Sequence, residues 1–386
     1  MNFFDAVVLF GVVVAAIGGY RLGFVARVAS WLGLALGLIL GARVLPAVLE
    51  GLPDSSRGEA FLIAGAILVG GAFIGQLFGM IFGSKLRIAI PPGPARSADR
   101  AVGAGAGALG ILLVVWLLLP ALAETPGFPA QQVRGSRVAR AIDERFPRAP
   151  DAAQTLRALV GGQSPRVFDA LREAPDVGPT PASMDLTTEL AAAVAESSVK
   201  IQGPACSRIQ EGSGFVVAPD LVVTNAHVVA GEDSTTVQRL DGSEVDAQVV
   251  AFDPNRDLAV LRAPGLERPA LALGESVAGA VGAAFGYPGG GDLRVAPFQV
   301  ADVVTATGTD IYDSRRTERE VLFLAAALAP GDSGAALVDG VGEVVGVAFA
   351  IAPDRPGVAY GLSVGELQAV LAGDLSAPVA TGPCVR

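Results

Sequence analysis

The chain contains one histidine, His227, in the run LVVTNAHVV at residues 221–229. An imidazole takes and returns protons near neutral pH without special tuning. A lone histidine is more often structural than catalytic, but two later stretches supply what it would need. Asp257 lies in NRDLAVLR and Ser333 in PGDSGAAL. A serine hydroxyl becomes a competent nucleophile when a base removes its proton, and a carboxylate on the second imidazole nitrogen fixes the tautomer and stabilises the imidazolium. The order His, Asp, Ser is one of those in which this constellation occurs. Asp253 is the rival acid, but Asp257 alone is followed directly by an apolar run, LAVL, that can set it on a strand edge. Ser333 sits in a tight turn between Gly331 and Gly334, where the N–H groups of Gly331 and Ser333 can face a developing oxyanion. Losing one such donor costs about 3–4 kcal/mol in the transition state. A DSG tripeptide alone is as often an ordinary turn, so the reading rests on the three stretches together.

These residues need a scaffold that brings distant segments together. From residue 194 onward the chain reads as short Val-rich runs bounded by Gly, Pro and Asp: GSGFVVAP, LVVTNAHVV, EVDAQVVAFD, LAVLRA, AVGAAFGYP and GEVVGVAFAI. Such runs without helical interruption predict an all-β barrel or sandwich. The length suits two small barrels, with His227 and Asp257 in the first, Ser333 in the second and the site at their junction.

The first part of the chain is different. Residues 3–19, 28–49, 61–82 and 102–122 are apolar enough to span a bilayer, which takes about 20 residues per helix. A second span follows the first too closely for a cleaved signal peptide. Lys and Arg are retained on the cytoplasmic side of bacterial spans. Arg21 and Arg27 in the first loop, and Lys85, Arg87, Arg96 and Arg100 in the third, therefore predict that those loops are cytoplasmic. Glu50, Asp54 and Glu59 mark the second loop as outward-facing. That places the N-terminus and everything after the fourth span outside the inner membrane. Gly33, Gly37 and Gly41, Gly75, Gly79 and Gly83, and Gly103 and Gly107 form small-residue stripes that suit close packing among the four helices. Arg43 and Gln76 are the strongly polar side chains well inside the runs. Arg43 is near an end and can snorkel, and no acidic relay accompanies it to support transport. Residues 1–123 thus read as a four-helix membrane domain. Residues 124–193 read as a linker with short helices expected over 136–146 and 151–160, and residues 194–386 as the β domain.

A net charge of -10 without basic clusters excludes a nucleic-acid partner. One histidine with two cysteines makes no credible metal site, and nothing calls for a cofactor. Cys206 and Cys384 are either free buried thiols or a disulfide closing the β domain, which would require an oxidising compartment.

TNAHVV, DPNRDLAVL and GDSGAAL, with GSGFVV before them, resemble the trypsin-like (chymotrypsin-fold) serine peptidases, particularly the HtrA-like branch. The four spans are similar to the colicin V production (CvpA) family, and together the chain resembles the MarP-type membrane-anchored periplasmic proteases of actinobacteria. The resemblance implies a chymotrypsin-like double barrel with His227 as base, Asp257 as orienting acid and Ser333 as nucleophile. It also implies an oxyanion hole at Gly331 and Ser333 and a Cys206–Cys384 disulfide. By the same resemblance the activity is serine endopeptidase cleavage of cell-envelope proteins in acid and oxidative stress. The trypsin-like pattern puts Ala327 at the base of the primary specificity pocket and the strand holding Val345, Gly346 and Val347 along one wall, an uncharged pocket suited to small or medium apolar side chains. Ala335 stands where the family usually has glycine, and no PDZ-like segment follows the barrels. A protease fold that has lost activity and serves as a binding or sensor module is the alternative function. The sequence leaves the oligomeric state open.

Overall fold

The computed structural model describes residues 2–50, 57–125, 127–147, 173–184, 186–205 and 208–385. The chain divides into two compact units, Met1–Leu118 and Leu119–Arg386. Asp54, Cys206 and the helix expected over 151–160 lie outside the described residues.

The first unit is built from α1 (Phe3–Leu22), α2 (Phe24–Glu50), α3 (Arg57–Ile88) and the greater part of α4 (Pro94–Glu124). Their segments Phe3–Leu22, Phe24–Leu45, Gly65–Ile88 and Pro94–Ala123 are long and apolar enough to cross a membrane. Large apolar side chains such as Phe10, Leu32, Phe73 and Phe78 point outward, as expected where the surrounding medium is lipid. Glycine stripes set the packing. A methyl group on Gly33 would overlap the backbone of Gly75, and one on Gly37 the backbone of Gly71, so α2 and α3 approach through bare backbone. Gly103 and Gly107 meet Gly19 and Ala15 of α1 in the same way. Arg27, which the charge pattern assigns to the first loop, instead lies within α2. Gly23 alone separates α1 from α2, and the Arg27 guanidinium reaches back to the Ala15 carbonyl at 3.0 Å.

The second unit opens with α5 (Phe128–Arg134) and α6 (Arg137–Arg145), the latter capped by the Ser136 hydroxyl. The N–H of Gly127 donates to Pro353 O at 2.8 Å, which ties the start of α5 to the β region. Val194, expected to open the first strand run, lies in α7 (Thr188–Ser197) with its side chain buried in the core. Two closed antiparallel barrels follow. The first comprises β1 (Ser198–Ala205), β2 (Arg208–Ala218), β3 (Leu221–Thr224), β4 (Thr235–Gln238), β5 (Glu244–Asp253) and β6 (Leu258–Arg262). Its strand order is β1-β2-β3-β6-β5-β4. The second comprises β7 (Val281–Gly286), β8 (Arg294–Thr309), β9 (Arg316–Ala326), β10 (Ala336–Asp339), β11 (Val344–Ile351) and β12 (Val358–Ser363). It is closed by pairing of β10 with β7. Six strands are enough for side chains to fill the interior, and closure leaves no sheet edge. Phe215 and Leu258 share a core with Phe285, Phe349 and Leu362, so the two barrels bury one another's faces. Each such side chain contributes about 2 kcal/mol of burial. The single turn α8 (Ala226–Val229) lies between β3 and β4, a 3-10 turn (Pro288–Gly290) lies between β7 and β8, and α9 (Val364–Leu371) follows β12.

Candidate active site at the barrel junction

His227 is carried by α8 and not by a strand. Strand β3 ends at Thr224, and the buried Asn225 turns the chain while its Nδ2 donates to the Asp257 carbonyl at 2.8 Å. The turn between β5 and β6 presents Asp257. Asp253 accepts the N–H groups of Asn255 and Arg256 at 2.9 and 3.0 Å, which caps that turn and separates the roles of the two acids. Asp257 follows in a left-handed conformation, φ 57°, with no exposed surface. Asp and Asn tolerate that region better than most residues. Its Oδ1 accepts the His227 N–H at 2.8 Å and its Oδ2 lies 2.6 Å from His227 Nδ1. A carboxylate only accepts, so Nδ1 carries the proton and Nε2 is left as the basic nitrogen.

Ser333 lies in a turn braced on the first barrel. The N–H of Ser213 in β2 donates to Ser333 O at 2.8 Å, and its hydroxyl donates to Gly331 O at 2.7 Å. That hydroxyl in turn accepts the Tyr287 N–H, and the Ser213 carbonyl accepts the Thr224 hydroxyl. Thr224 lies three residues before His227, so one buried serine links both halves of the site. A side chain on Gly212 would meet the Val228 methyls at 2.6 and 2.7 Å and Ser333 O at 3.3 Å, which sets α8 and the Ser333 turn against the same point of β2. The Pro330 carbonyl accepts the Gly289 N–H at 2.8 Å. In a trans peptide that turns the Gly331 N–H the opposite way. Neither the Gly331 nor the Ser333 N–H donates to an acceptor among the described residues. Gly331 and Gly334 have φ of 99° and 86°, conformations open to glycine.

Asp332 is buried within the same turn. Its Oδ2 accepts the Ala329 N–H at 2.8 Å and pairs with Arg294 at 2.5 Å. Burial raises its pKa above the usual carboxylate range, against the opposing pull of the Ala329 N–H and the Arg294 guanidinium. Ala335, the departure from the family pattern, packs fully buried with Leu337 and Ala348. Its N–H donates to Asp332 O at 3.0 Å and its carbonyl accepts the Ala348 N–H at 2.9 Å, so the methyl sits in the core behind the turn.

Ala327 is exposed just past the end of β9, with its carbonyl accepting from Arg294 at 3.1 Å. Val345 and Val347 are 1% and 0% exposed in the second barrel, and a side chain on Gly346 would meet Leu322 and Leu337. The interior takes these positions. The residue of β11 that bonds to the Ser333 turn is Ala348, whose carbonyl accepts the Gly334 N–H at 2.9 Å. Sequence reasoning missed Ser213, Tyr287, Arg294 and the buried Arg319. The small–polar–small triplet GSG, which falls within β2, was the available signal for the first. Cys384 sits against Gly231, whose neighbour Glu232 forms a β-bridge with Ala205, the residue before Cys206.

Residues 212–347 match the trypsin-like peptidase domain family, and residues 4–147 match the colicin V production protein family. The serine protease Rv3671c of Mycobacterium tuberculosis (strain ATCC 25618 / H37Rv) is 34% identical over 395 residues, covering 99% of this chain and 98% of that protein. The putative serine protease HhoB of Synechocystis sp. (strain ATCC 27184 / PCC 6803 / Kazusa) is 33% identical over 165 residues, 41% of this chain and 39% of that protein. The crystal structure of the M. tuberculosis Rv3671c protease in its active form superposes with a TM-score of 0.51 at 38% identity, covering 54% of this chain and 96% of that one.

Proposed function

The chain belongs to the Rv3671c (MarP-type) serine proteases, a trypsin-like, HtrA-related domain joined to a CvpA-type membrane region, and from that premise we propose that His227, Asp257 and Ser333 are its catalytic triad. The observation that carries the assignment is the double engagement of Asp257 with His227, at 2.8 and 2.6 Å, beside a Ser333 turn braced on the same strand. In this reading His227 Nε2 takes the Ser333 proton as Oγ attacks the scissile carbonyl. The tetrahedral oxyanion is received by the N–H groups of Gly331 and Ser333. The imidazolium, held by Asp257, then protonates the leaving amine. Water repeats the sequence on the acyl-enzyme and frees the serine. No metal or cofactor enters these steps.

Domain limits of 1–123 for the membrane region, 124–193 for the connector and 194–386 for the protease are part of the same proposal. The Lys and Arg residues flanking the first and third connections support a protease domain outside the inner membrane. Proximity of Cys384 to Gly231, and of Ala205 to Glu232, supports a Cys206–Cys384 bond there. Its substrates would be cell-envelope proteins cleaved in acid and oxidative stress. The exposed, uncharged Ala327 supports a primary pocket for small or medium apolar side chains.

Labelling of the detergent-solubilised full chain with a fluorophosphonate tests the assignment. The expected result is one adduct at Ser333, absent from Ser333→Ala and lost in His227→Ala, since no second histidine exists to substitute. Labelling of His227→Ala at the wild-type rate would end the triad reading.

A further inference from the structure

Arg319 is 2% exposed in β9, with Nε and Nη2 donating to the carbonyls of Asn255 and Thr309. Asn255 belongs to the turn that presents Asp257. Its guanidinium carbon lies 5.3 Å from the centre of the Phe349 ring, and Phe349 follows Ala348, the residue of β11 bonded to the Ser333 turn. One side chain of the second barrel thus touches the acid's turn and the strand behind the nucleophile.

A buried cation with two neutral acceptors and an Nη1 lacking one among the described residues needs a countercharge nearby. Four carboxylates face it: Asp253 and Asp257 from the β5–β6 turn, Asp310 from the end of β8, and Glu366 from α9. Arg256 engages two of these, Asp253 at 3.0 Å and Glu366 at 2.9 Å, and Arg315 lies 3.9 Å from Asp310. Asp257 is the one whose partner is the histidine. Tyr312 also faces Asp310 and Asp257, and remains uncharged across the working range because its pKa is raised by burial and by these acids. Burial pushes the Arg319 pKa down, and Asp257 leads the charges that oppose this.

We propose that Arg319 is a positioning residue for the His227–Asp257 pair: its bond to the Asn255 carbonyl holds the turn that presents Asp257 to the histidine. This inference rests on the triad reading above.

The test is kcat and KM on a peptide substrate, and the rate of fluorophosphonate labelling, for the full chain in detergent in the wild type, Arg319→Met and Arg319→Gln. Met fills the space without a donor for the Asn255 carbonyl, and its kcat and labelling rate are expected to fall about tenfold or more with KM within about threefold. Gln keeps an N–H donor, and its kcat is expected to exceed that of Met by about threefold or more. A residue that only braces the fold would lower the Tm and leave kcat per folded molecule in place. A folded Arg319→Met with wild-type kcat and labelling overturns the proposal, as does an Arg319→Gln no more active than Arg319→Met. Should Arg319→Met not fold, Arg319→Leu takes its place, with the same loss expected. Failure of both to fold assigns Arg319 to stability and overturns its role in the pair. His227→Ala is run alongside: labelling there at the wild-type rate fails the triad reading itself, whereas its absence with a fully active Arg319→Met fails this inference alone.

Discussion

Asp332 and Arg294 form a 2.5 Å ion pair immediately beside Ser333, in which the acid is buried and the arginine is partly open to solvent. The same guanidinium donates to the Ala327 carbonyl, so it ties the end of β9 to the Ser333 turn. Arg294→Gln would leave the Asp332 carboxylate without its cation, at an expected cost of about 1–3 kcal/mol in stability. Because Asp332 sits between Gly331 and Ser333, a shift there would misplace the N–H groups proposed to receive the oxyanion. The expected fall in kcat is about 10- to 100-fold with KM changed much less, read from steady-state kinetics on a peptide substrate.

Asp257 and Asp253 lie four residues apart and have different work. Asp257→Asn keeps the size but offers the histidine an amide, which permits the wrong tautomer. An expected loss of about 10⁴-fold in kcat follows. Asp253→Asn keeps an oxygen for the N–H groups of Asn255 and Arg256 and loses the ion pair with the partly exposed Arg256. Its kcat should stay within about threefold of the wild type, with less than about 1 kcal/mol of stability lost. Equal losses from the two substitutions would refute this division.

The histidine–aspartate pair was legible in the sequence because proton transfer admits few residue types and each sits in a short run with its own punctuation. The double barrel was legible for a similar reason, since short Val-rich runs between turns have little else to become. The bracing was not. Ser213 bonds to Gly331 across 118 residues and Arg294 to Asp332 across 38, and such contacts depend on barrel register that no local pattern encodes. Arg319 reads in TERE as one more surface charge, and only the approach of the β5–β6 turn buries it. Charge alone places Arg27 in a loop, because it does not reveal that a single glycine joins α1 to α2.

Gly334 and Ala335 should respond in opposite ways. A methyl on Gly334 would overlap the Ser213 carbonyl and the Thr224 hydroxyl, at a backbone φ of 86°. Gly334→Ala is expected to destabilise by about 2–4 kcal/mol and to abolish labelling of Ser333. Ala335→Gly removes a buried methyl from the core of the second barrel. It should cost about 1 kcal/mol and leave kcat within a factor of about three. Thermal unfolding together with labelling separates the two, and strong activation by Ala335→Gly would show that the alanine distorts the turn.

Glu232, whose N–H donates to the Val229 carbonyl at the end of α8, couples stability to pH. Its carboxyl is buried beside Gly203 and accepts the Thr235 hydroxyl at 2.5 Å, while Oε1 has no partner among the described residues. Burial raises its pKa from 4.5 to about 7, against the lowering effect of the Thr235 bond. A carboxyl whose pKa is higher in the folded than in the unfolded state binds its proton more tightly when folded. It therefore imposes no penalty below about pH 4.5, a growing one from there to about 7, and the full one above. The penalty is on the order of 3 kcal/mol. Glu232→Gln, which stays neutral, should gain stability over the wild type at pH 8 and lose that advantage by pH 4.5. The backbone of Glu232 also holds the C-terminal tail, accepting the Thr381 hydroxyl at 3.2 Å. Tail docking next to Cys384 should therefore tighten as the medium acidifies, measured as slower hydrogen exchange of the Gly231 amide, which donates to Thr381 O, after correction for intrinsic rates. A Tm difference between wild type and Glu232→Gln that is constant across this range would refute the coupling.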